Sequence, residues 1–242
     1  GDIMVTDDTV TGDTTPANQV DDVHAGGTPS PEVPLVIAID GPAGAGKSTV
    51  GRALAEHLSI GYLDTGAMYR AMTFAALRRG VVEGDLDEVA MMAPQVDLAI
   101  EDGIVMVDGV DATIAIRGRE VTEAVSQIAA NPAVRDVLVE RQHAWVTEHG
   151  GGVVEGRDIG SVVFPDAQLK LYITASARVR AERRVHEIGG DVDEVEASII
   201  KRDRVDSSRD HSPLTETDDA VTVDTTGMTI DEVVAHILEL LP

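Results

Sequence analysis

A glycine-rich segment near the start of the chain has the residue types and spacing most directly tied to chemistry. Residues 41–48 read GPAGAGKS and match the phosphate-loop pattern G-x-x-x-x-G-K-[ST] in full. Glycines let successive backbone N–H groups turn towards one anion, and the following helix adds its positive dipole end. In such loops the lysine contacts the β and γ phosphates and is catalytic, while the hydroxyl binds Mg²⁺. These roles fall to Lys47 and Ser48. The loop therefore predicts binding of ATP or GTP by Gly41, Pro42, Ala43, Gly44, Ala45, Gly46, Lys47, Ser48 and Thr49.

The residues around this loop predict the elements that position it. Leu35–Asp40 is a continuous apolar run ending in an acid, too short for a helix and typical of a strand buried on both faces. Residues 48–58 carry Val50, Leu54 and Leu58 at helical spacing. The motif therefore lies in a strand, loop and helix unit, and the strand is expected at the centre of a sheet.

Several motifs of other nucleotide-binding proteins are absent from the sequence. It has no N-K-x-D element that reads guanine and no L-S-G-G-Q signature of transporter ATPases. The second predicted strand ends in the single acid Asp64 rather than in a paired Asp-Glu. Signalling GTPases and large motor ATPases are therefore disfavoured, and small-molecule kinases remain.

The charge distribution favours a small anionic ligand over a nucleic acid. The net charge is −24, and all 19 basic residues, 16 Arg and three Lys, lie between Lys47 and Arg209. Nucleic-acid binding needs several cations facing the phosphate backbone, so this acidic chain argues against it. Arginines within an acidic chain suit bidentate binding of a small anion, although a compositional preference for Arg over Lys explains the count equally well.

The rest of the pattern predicts an α/β protein. Residues 1–33, with seven acids and no basic residue, read as a disordered acidic tail. Residues 96–116 alternate around Asp102-Gly103 and Asp108-Gly109, which predicts a small antiparallel sheet including Ile114 and Ile116. The other predicted strands are 61–64, 153–155, 169–174 and 221–224, and the other predicted helices are 68–79, 122–130, 133–148, 177–188, 193–209 and 229–241. Strands alternating with helices indicate a parallel sheet covered on both faces.

Composition also bears on location and assembly. No apolar run approaches the roughly 18 to 20 residues that span a bilayer. There is no cysteine and no basic segment followed by an apolar stretch, so secretion is unsupported. We therefore expect a cytoplasmic protein without a membrane partner. The lack of an obvious exposed apolar stripe favours a monomer.

Four segments in order resemble the bacterial cytidylate kinases, a family of nucleoside monophosphate kinases. They are residues 40–49, DTGAMYR at 64–70, EGRDIG at 155–160 and KRD at 201–203. The resemblance implies transfer of a phosphoryl group from ATP to CMP or dCMP with Mg²⁺. It also implies a three-layer phosphate-loop fold as the kinase domain at 34–242. An inserted antiparallel-sheet domain at about 66–130 would bind the monophosphate, and a short lid would lie at about 177–192.

The resemblance also assigns roles to individual residues. Arg70, Arg157 and Arg209 would hold the acceptor phosphate, the last two as catalytic residues. Ser126, Arg135 and Asp158 would contact cytosine. Arg202 and Asp206 would contact the sugar. The complete implied CMP-binding set is Asp64, Thr65, Tyr69, Arg70, Ser126, Arg135, Arg157, Asp158, Arg202, Asp206 and Arg209.

Spacing supports part of this set. Arg202, Asp206 and Arg209 stand at i, i+4 and i+7 and share one helix face, although a solvated ion pair has the same spacing. Asp158 could instead support Arg157 through a salt bridge, and Asp64 could pair with Arg70 at a strand end.

Four further arginines belong to the predicted lid helix, namely Arg178, Arg180, Arg183 and Arg184. One is expected over the transferring phosphoryl group, and the sequence leaves open which. Competing functions are a kinase for UMP, shikimate or dephospho-coenzyme A, and a nucleotide-binding regulator without transfer activity. Intact Lys47, Ser48, Arg157 and Arg209 disfavour the regulator.

Overall fold

The fold is known from a computed structural model that describes residues 33–81, 85–208 and 213–241. Apart from Val33, the predicted acidic tail lies outside the described residues, and so does Arg209. Neither prediction is tested by the structure.

A five-stranded parallel sheet forms the centre of the fold. Its strands lie in the order β2 (Tyr62–Asp64), β6 (Gly151–Glu155), β1 (Leu35–Asp40), β7 (Leu169–Thr174) and β8 (Val221–Asp224). Every neighbouring pair is parallel. The strand that precedes the glycine loop is therefore central, as predicted, and its carboxyl end opens between those of β6 and β7.

Strand β1 explains why the sheet needs cover on both faces. Val36 and Ala38 belong to one hydrophobic core, whereas Ile37 and Ile39 belong to the core on the opposite face. Side chains alternate across a strand, so a continuous apolar run supplies both cores at once. The fold accordingly has three layers.

Eight α-helices are described in these ranges. One face of the sheet is covered by α1 (Lys47–Leu58) and α8 (Ile230–Leu238). The other face is covered by α2 (Thr65–Arg78) and α5 (Pro132–His149), and α4 (Arg119–Ala130) packs on α2. The remaining helices are α3 (Leu86–Met92), α6 (Ala177–Ile188) and α7 (Val192–Ser207). None of these helices is both long and apolar enough to cross a membrane.

The predicted antiparallel sheet is present but shorter than expected. It consists of β3 (Leu98–Glu101), β4 (Ile104–Val107) and β5 (Val110–Asp111). The extension of its alternation through Ile114 and Ile116 is wrong: the first is 88% exposed and the second is buried in a 3₁₀ helix.

Side-chain hydrogen bonds explain why this sheet ends early. The Asp111 carboxylate accepts the backbone N–H of Thr113, and the Thr113 hydroxyl accepts the backbone N–H of Val105. Such local bonds compete with the ladder and turn the chain away from it. The chain then enters the 3₁₀ helix Ala115–Arg117.

Two helices begin three residues earlier than predicted. Asp64 accepts the backbone N–H of Ala67, so α2 begins at Thr65, three residues before the predicted start. Helix α4 begins at Arg119 rather than Thr122, directly after the extended Gly118. Capping thus places Asp64 at the junction of strand and helix, at the carboxyl edge of the sheet.

We predict that Gly151→Ala destabilises the protein strongly. Gly151 has a φ of +124°, and a Cβ there would lie 2.5 Å from the carbonyl oxygen of Leu35 on β1. The central strands would have to separate, which should cost about 3 kcal/mol or more and lower the melting temperature by roughly 6 °C or more.

The neighbouring Gly150→Ala is the matched control. Gly150 also has a positive φ, +68°, but nothing lies within 4 Å of an added Cβ. Conformational strain alone should lower the melting temperature by about 2–4 °C. Equal shifts for the two variants, measured by calorimetry, would show that the approach to β1 carries no cost.

Candidate active site: two cavities beside the glycine loop

The glycine loop connects β1 to α1 and is shaped by positive φ angles. Gly44 and Gly46 have φ of +76° and +95°, a conformation that favours glycine, and Gly46 precedes the first residue of the helix. The backbone N–H groups at the start of α1 have no intrahelical partners. The loop and the helix N-terminus therefore make the anion-binding concavity that the motif predicts.

Lys47 is buried beside the loop. Its Nζ donates to the carbonyl oxygen of Pro42 at 2.8 Å, which folds the side chain back over the loop. Burial, and after it the Arg157 guanidinium, lower the pKa of this ammonium. An anion arriving at the loop would offset both effects, so the site is electrostatically prepared for phosphate.

Glu155, at the end of β6, is a site residue that the sequence interpretation missed. Its Oε1 accepts the Ser48 hydroxyl at 2.8 Å, while its Oε2 is buried with no hydrogen-bond partner among the described residues. Burial, and after it the nearby Asp64 carboxylate, raise the pKa of Glu155. The available signal was the acid that ends the apolar run 153–155, but only the strand order shows that this acid meets Ser48.

These oxygens fit a hard divalent cation. Mg²⁺ prefers carboxylate, hydroxyl and water oxygens and is held in phosphate-loop proteins by the loop hydroxyl and an acid on a neighbouring strand. Ser48 and Glu155 supply that pair, and the unpartnered Oε2 is the kind of buried polar atom that a bound cation or its water would satisfy.

Asp40, the acid at the end of β1, holds the backbone of the segment after β6. Its two carboxylate oxygens accept the backbone N–H groups of Ile159 and Gly160, both at 2.8 Å. Burial raises the pKa of Asp40 to about 6, against the opposing effect of those two hydrogen bonds. This side chain fixes the segment that follows β6, and hence the positions of Arg157 and Asp158.

Beside the loop lies a first cavity, which contains the predicted acceptor residues. Ten of the eleven residues that the resemblance assigns to CMP line it, and the eleventh, Arg209, lies outside the described residues. The ten are Asp64, Thr65, Tyr69, Arg70, Ser126, Arg135, Arg157, Asp158, Arg202 and Asp206. They come from six separate elements or junctions, and the fold brings them to one place.

At one end of this cavity the buried pair of Arg135 and Asp158 presents two opposite charges. Nη2 of Arg135 hydrogen-bonds Oδ2 of Asp158, and the guanidinium lies 5.5 Å from the centre of the Tyr69 ring. Asp158 therefore pairs with Arg135. The alternative from the sequence, a salt bridge between Asp158 and Arg157, is not formed. A paired cation and carboxylate side by side can read the donor and acceptor pattern of a planar ring.

Two other arginines share one acid. Nε of Arg157 lies 3.2 Å from Oδ2 of Asp206, and Nε of Arg202 lies 3.9 Å from the same oxygen. The predicted ion pair at i, i+4 on α7 thus exists, but it borders the cavity and also includes Arg157. Asp206 is buried and positions both guanidinium groups.

Arg70 is held by uncharged groups. Its Nη1 donates to the carbonyl oxygen of Ile116 and to the hydroxyl of Thr122, both at 3.0 Å. Burial, and then the neighbouring Arg202 and Arg184, lower the pKa of Arg70 to about 10. Guanidinium groups so close together repel one another and favour a bound anion. The ion pair between Asp64 and Arg70, the alternative that the sequence left open, is not formed.

The hydroxyl of Thr65 already has an acceptor. It donates to the carbonyl oxygen of Glu155 at 2.7 Å, in a buried position. The resemblance implies that this hydroxyl supports the monophosphate. That role stays a prediction, and the hydroxyl would have to turn from the Glu155 carbonyl to the ligand.

A second cavity lies on the other side of the loop. It is lined by residues 44–49 of the loop and α1, by arginines of α6, and by the segment after β8 that contains Thr225 and Met228. Arg183 donates to both oxygens of Thr225 and to the carbonyl of Ala45. The second half of the phosphate loop, from Gly44 to Ser48, therefore forms one wall of this cavity.

The four arginines of α6 have different environments. Arg178 is exposed and pairs with Asp193 and Glu196 on α7. Arg180 is buried, forms two hydrogen bonds to Asp203 and donates to the carbonyl of Ala43. Arg183 donates to Thr225 and to the carbonyl of Ala45 beside the second cavity. Arg184 borders both cavities, so it is the arginine of this helix best placed over a phosphoryl group passing between them.

A phosphate loop at the head of a parallel sheet, flanked by an arginine-lined cavity, defines a P-loop protein built to bring a nucleotide together with a second anion. Within that class, the family model described as cytidylate kinase matches residues 37–242. The chain belongs to the cytidylate kinase family.

Two named relatives agree with this assignment. A cytidylate kinase from Corynebacterium efficiens is 48% identical over 219 residues, covering 87% of this chain and 95% of the relative. One from Listeria monocytogenes is 46% identical over 214 residues, covering 85% and 95%. Among solved structures, a gluconokinase from Sinorhizobium meliloti is 15% identical with a TM-score of 0.46, covering 86% of this chain and 94% of that one.

We predict that Glu155→Gln weakens the binding of Mg²⁺ with nucleotide by about 10–100-fold, because it removes the buried carboxylate charge beside Ser48. Titration calorimetry with Mg²⁺ and ADP measures this directly. The melting temperature should not fall, because burial already disfavours the charged carboxylate.

Glu140→Gln, an exposed change on α5, is the control and should leave the Mg²⁺ affinity unaltered. An unchanged affinity in Glu155→Gln would remove this carboxylate from the metal site.

Proposed function

We propose that the protein is a (d)CMP kinase, which transfers the γ-phosphoryl group of ATP to CMP or dCMP and produces ADP and CDP or dCDP. Membership of the cytidylate kinase family carries the proposal. The gathering of the predicted acceptor residues in one cavity beside the phosphate loop supports it. ATP and CMP are therefore the proposed partners, and a cytoplasmic monomer is the state in which we propose that it acts.

The chemistry needs alignment more than acid or base catalysis. An oxygen of the acceptor phosphate attacks the γ-phosphorus, the bond to the β–γ bridging oxygen breaks, and its electron pair stays on the β-phosphate of ADP. No proton is transferred between the phosphates, because the acceptor is already an anion. The protein must therefore hold two mutually repelling anions in line and neutralise their charge.

The cations around the two cavities can do this. Lys47 would contact the β and γ phosphates, and Arg70 and Arg157 would hold the acceptor phosphate together with Arg209. Arg184 would reach the phosphoryl group in transit, since it borders both cavities. Asp206 holds Arg157, and backbone carbonyls hold Lys47 and Arg70, so these three cations need little reorganisation when substrates bind.

Mg²⁺ would be held by Ser48 and Glu155. When bound, it neutralises charge on the β and γ phosphates. The residues themselves restrict its position: the Ser48 hydroxyl belongs to the first turn of α1, and Glu155 ends the strand beside β1. Both are therefore attached to regular elements rather than to loops, which keeps the site rigid.

The domain roles follow from the same arrangement. Residues 66–130, with the antiparallel sheet and α2 to α4, are proposed as the insert that binds the monophosphate, because they supply Tyr69, Arg70 and Ser126. The junction of α6 and α7 within 177–192 is proposed as the lid. Closure there would exclude water, which otherwise competes with CMP for the phosphoryl group.

Cytosine recognition is proposed for Arg135, Asp158 and Ser126. Cytosine presents an N4 amino donor where uracil presents the O4 acceptor, so selection of cytosine requires an acceptor near that atom. A carboxylate accepts from the amino group and repels the carbonyl oxygen. Its contact with Arg135 fixes the orientation of Asp158 in the buried end of the cavity.

The proposed function is tested by ADP release with a panel of acceptors. Purified protein, ATP and Mg²⁺ are mixed separately with CMP, dCMP, UMP, shikimate and dephospho-coenzyme A, and ADP is measured by coupled oxidation of NADH. CMP or dCMP should give the highest kcat/KM. Faster turnover of another acceptor would contradict the proposed substrate, and turnover of none would contradict transfer activity.

We predict that Asp158→Asn removes most of the preference for CMP over UMP. A site that hydrogen-bonds one base and leaves a buried group unpaired with another discriminates by up to roughly 10⁴. The amide of asparagine can donate to O4, so the ratio of kcat/KM for CMP and UMP should collapse, chiefly through poorer use of CMP.

Asp136→Asn, an exposed change on α5, is the control and should keep the wild-type ratio. An equal fall in kcat/KM for both substrates in Asp158→Asn would show instead that Asp158 only positions Arg135.

A further inference from the structure

The two cavities share a border made of very few residues. Within the described ranges, five residues line both cavities: Gly44, Lys47, Ser48, Arg117 and Arg184. The first three belong to the phosphate loop and its helix, and Arg184 belongs to α6. Arg117 is the one that comes from the inserted segment, and neither the motifs nor the resemblance assigned it a role.

The shared border has a specific meaning for phosphoryl transfer. The reacting oxygen and phosphorus must approach to roughly 3–3.5 Å, so donor and acceptor phosphates have to meet where the two cavities join. A cation at that junction faces the group in transit rather than either bound nucleotide alone. Lys47, Arg117 and Arg184 are the three cations there, and they approach from three different parts of the fold.

The backbone that carries Arg117 is held firmly. Arg117 ends the 3₁₀ helix Ala115–Arg117, whose Ile116 side chain is buried in the core. The carbonyl of Ile116 accepts a hydrogen bond from Arg70 at 3.0 Å, and Thr122 at the start of α4 accepts another. A group proposed to hold the acceptor phosphate thus also holds the segment that precedes Arg117.

The side chain of Arg117, by contrast, is 63% exposed and weakly paired. Its Nη2 lies 4.0 Å from Oδ2 of Asp64, at the limit of an ion pair. An exposed contact of that length contributes little to stability, about 0–1 kcal/mol. The pair with Asp64 therefore has little structural role. The guanidinium of Arg117 lies at the junction of the two cavities.

We propose that Arg117 is a catalytic residue whose guanidinium contacts the phosphoryl group during transfer, so that the acceptor insert itself contributes a cation to the reacting centre. The inference rests on the proposed kinase function. While the bond from the acceptor oxygen to phosphorus forms and the bond to the bridging oxygen breaks, charge is spread over the equatorial oxygens of the phosphoryl group. Arg117 would donate hydrogen bonds to those oxygens alongside Arg184 and Lys47.

This arrangement links acceptor binding to catalysis. An acceptor phosphate bound by Arg70 would fix the side chain that already donates to the Ile116 carbonyl, and so fix the start of the segment that carries Arg117. The insert would then deliver its cation when the acceptor is present, which favours transfer to the acceptor over transfer to water.

The test compares Arg117→Gln and Arg117→Lys with Arg119→Gln. Arg119 is two residues further on, is 88% exposed in its side chain, and pairs with Glu123 at the surface without lining either cavity. With ATP and CMP, Arg117→Gln should lower kcat on the order of 10²–10³-fold while each KM changes by less than about threefold. Arg117→Lys should recover part of kcat, and Arg119→Gln should match the wild type.

A binding measurement separates transition-state from ground-state effects. Calorimetry with Mg²⁺, ADP, CMP and aluminium fluoride, which occupies the place of the phosphoryl group, should show about 10²-fold weaker binding in Arg117→Gln. Binding of CMP alone should stay within about threefold of the wild-type value. Melting temperatures establish that the variants are folded.

Three results would overturn the inference while the wild-type enzyme turns over CMP: kcat of Arg117→Gln near the wild-type value, an equal loss in Arg119→Gln, or a loss found only in the KM for CMP. A wild-type protein that does not phosphorylate CMP would instead overturn the proposed function, and the inference with it.

Discussion

Mutual repulsion among guanidinium groups is the constraint on which the rest of this site depends. Burial, and after it the charges of the nearby Arg202 and Arg184, lower the pKa of Arg70. Such a cluster is unfavourable unless acids and carbonyls hold it in place. Asp206 and the carbonyl of Ile116 do so. The fold therefore supports an arrangement of charge that becomes favourable when phosphates enter.

The central sheet supplies the rigid base for that arrangement. The carboxyl ends of β1, β6 and β2 lie side by side and carry the glycine loop, Glu155 and Asp64. Asp40, at the end of β1, binds two backbone N–H groups just after Asp158. The phosphate-binding loop and Asp158 are therefore both held at the carboxyl edge of these strands, and a shift of one strand would disturb both.

The sequence was sufficient for features with a local cause. The central strand, the loop and the antiparallel hairpins were predicted from apolar runs, glycines and turn residues. The acceptor residues came from resemblance to a family, because nothing local relates Arg70 to Arg157. Glu155 was missed since only the order of strands brings it to Ser48. The prediction that the antiparallel sheet extends to Ile116 was wrong, because the backbone N–H of Val105 donates to the Thr113 hydroxyl and not to a further strand. Only its position on the border of both cavities distinguishes Arg184 from the other arginines of α6.

The contacts between α6 and the glycine loop restrict how this helix can move. Arg180 donates to the carbonyl of Ala43, and Arg183 donates to that of Ala45, so α6 is attached to the loop at two points up to Arg183. The helix cannot swing as a rigid rod without breaking both. Bending must be confined to its last turn and to Gly189 and Gly190, where φ is positive. Any opening of the proposed lid is thereby limited to this short distal segment, while Arg184, next to the second attachment point, stays beside the loop.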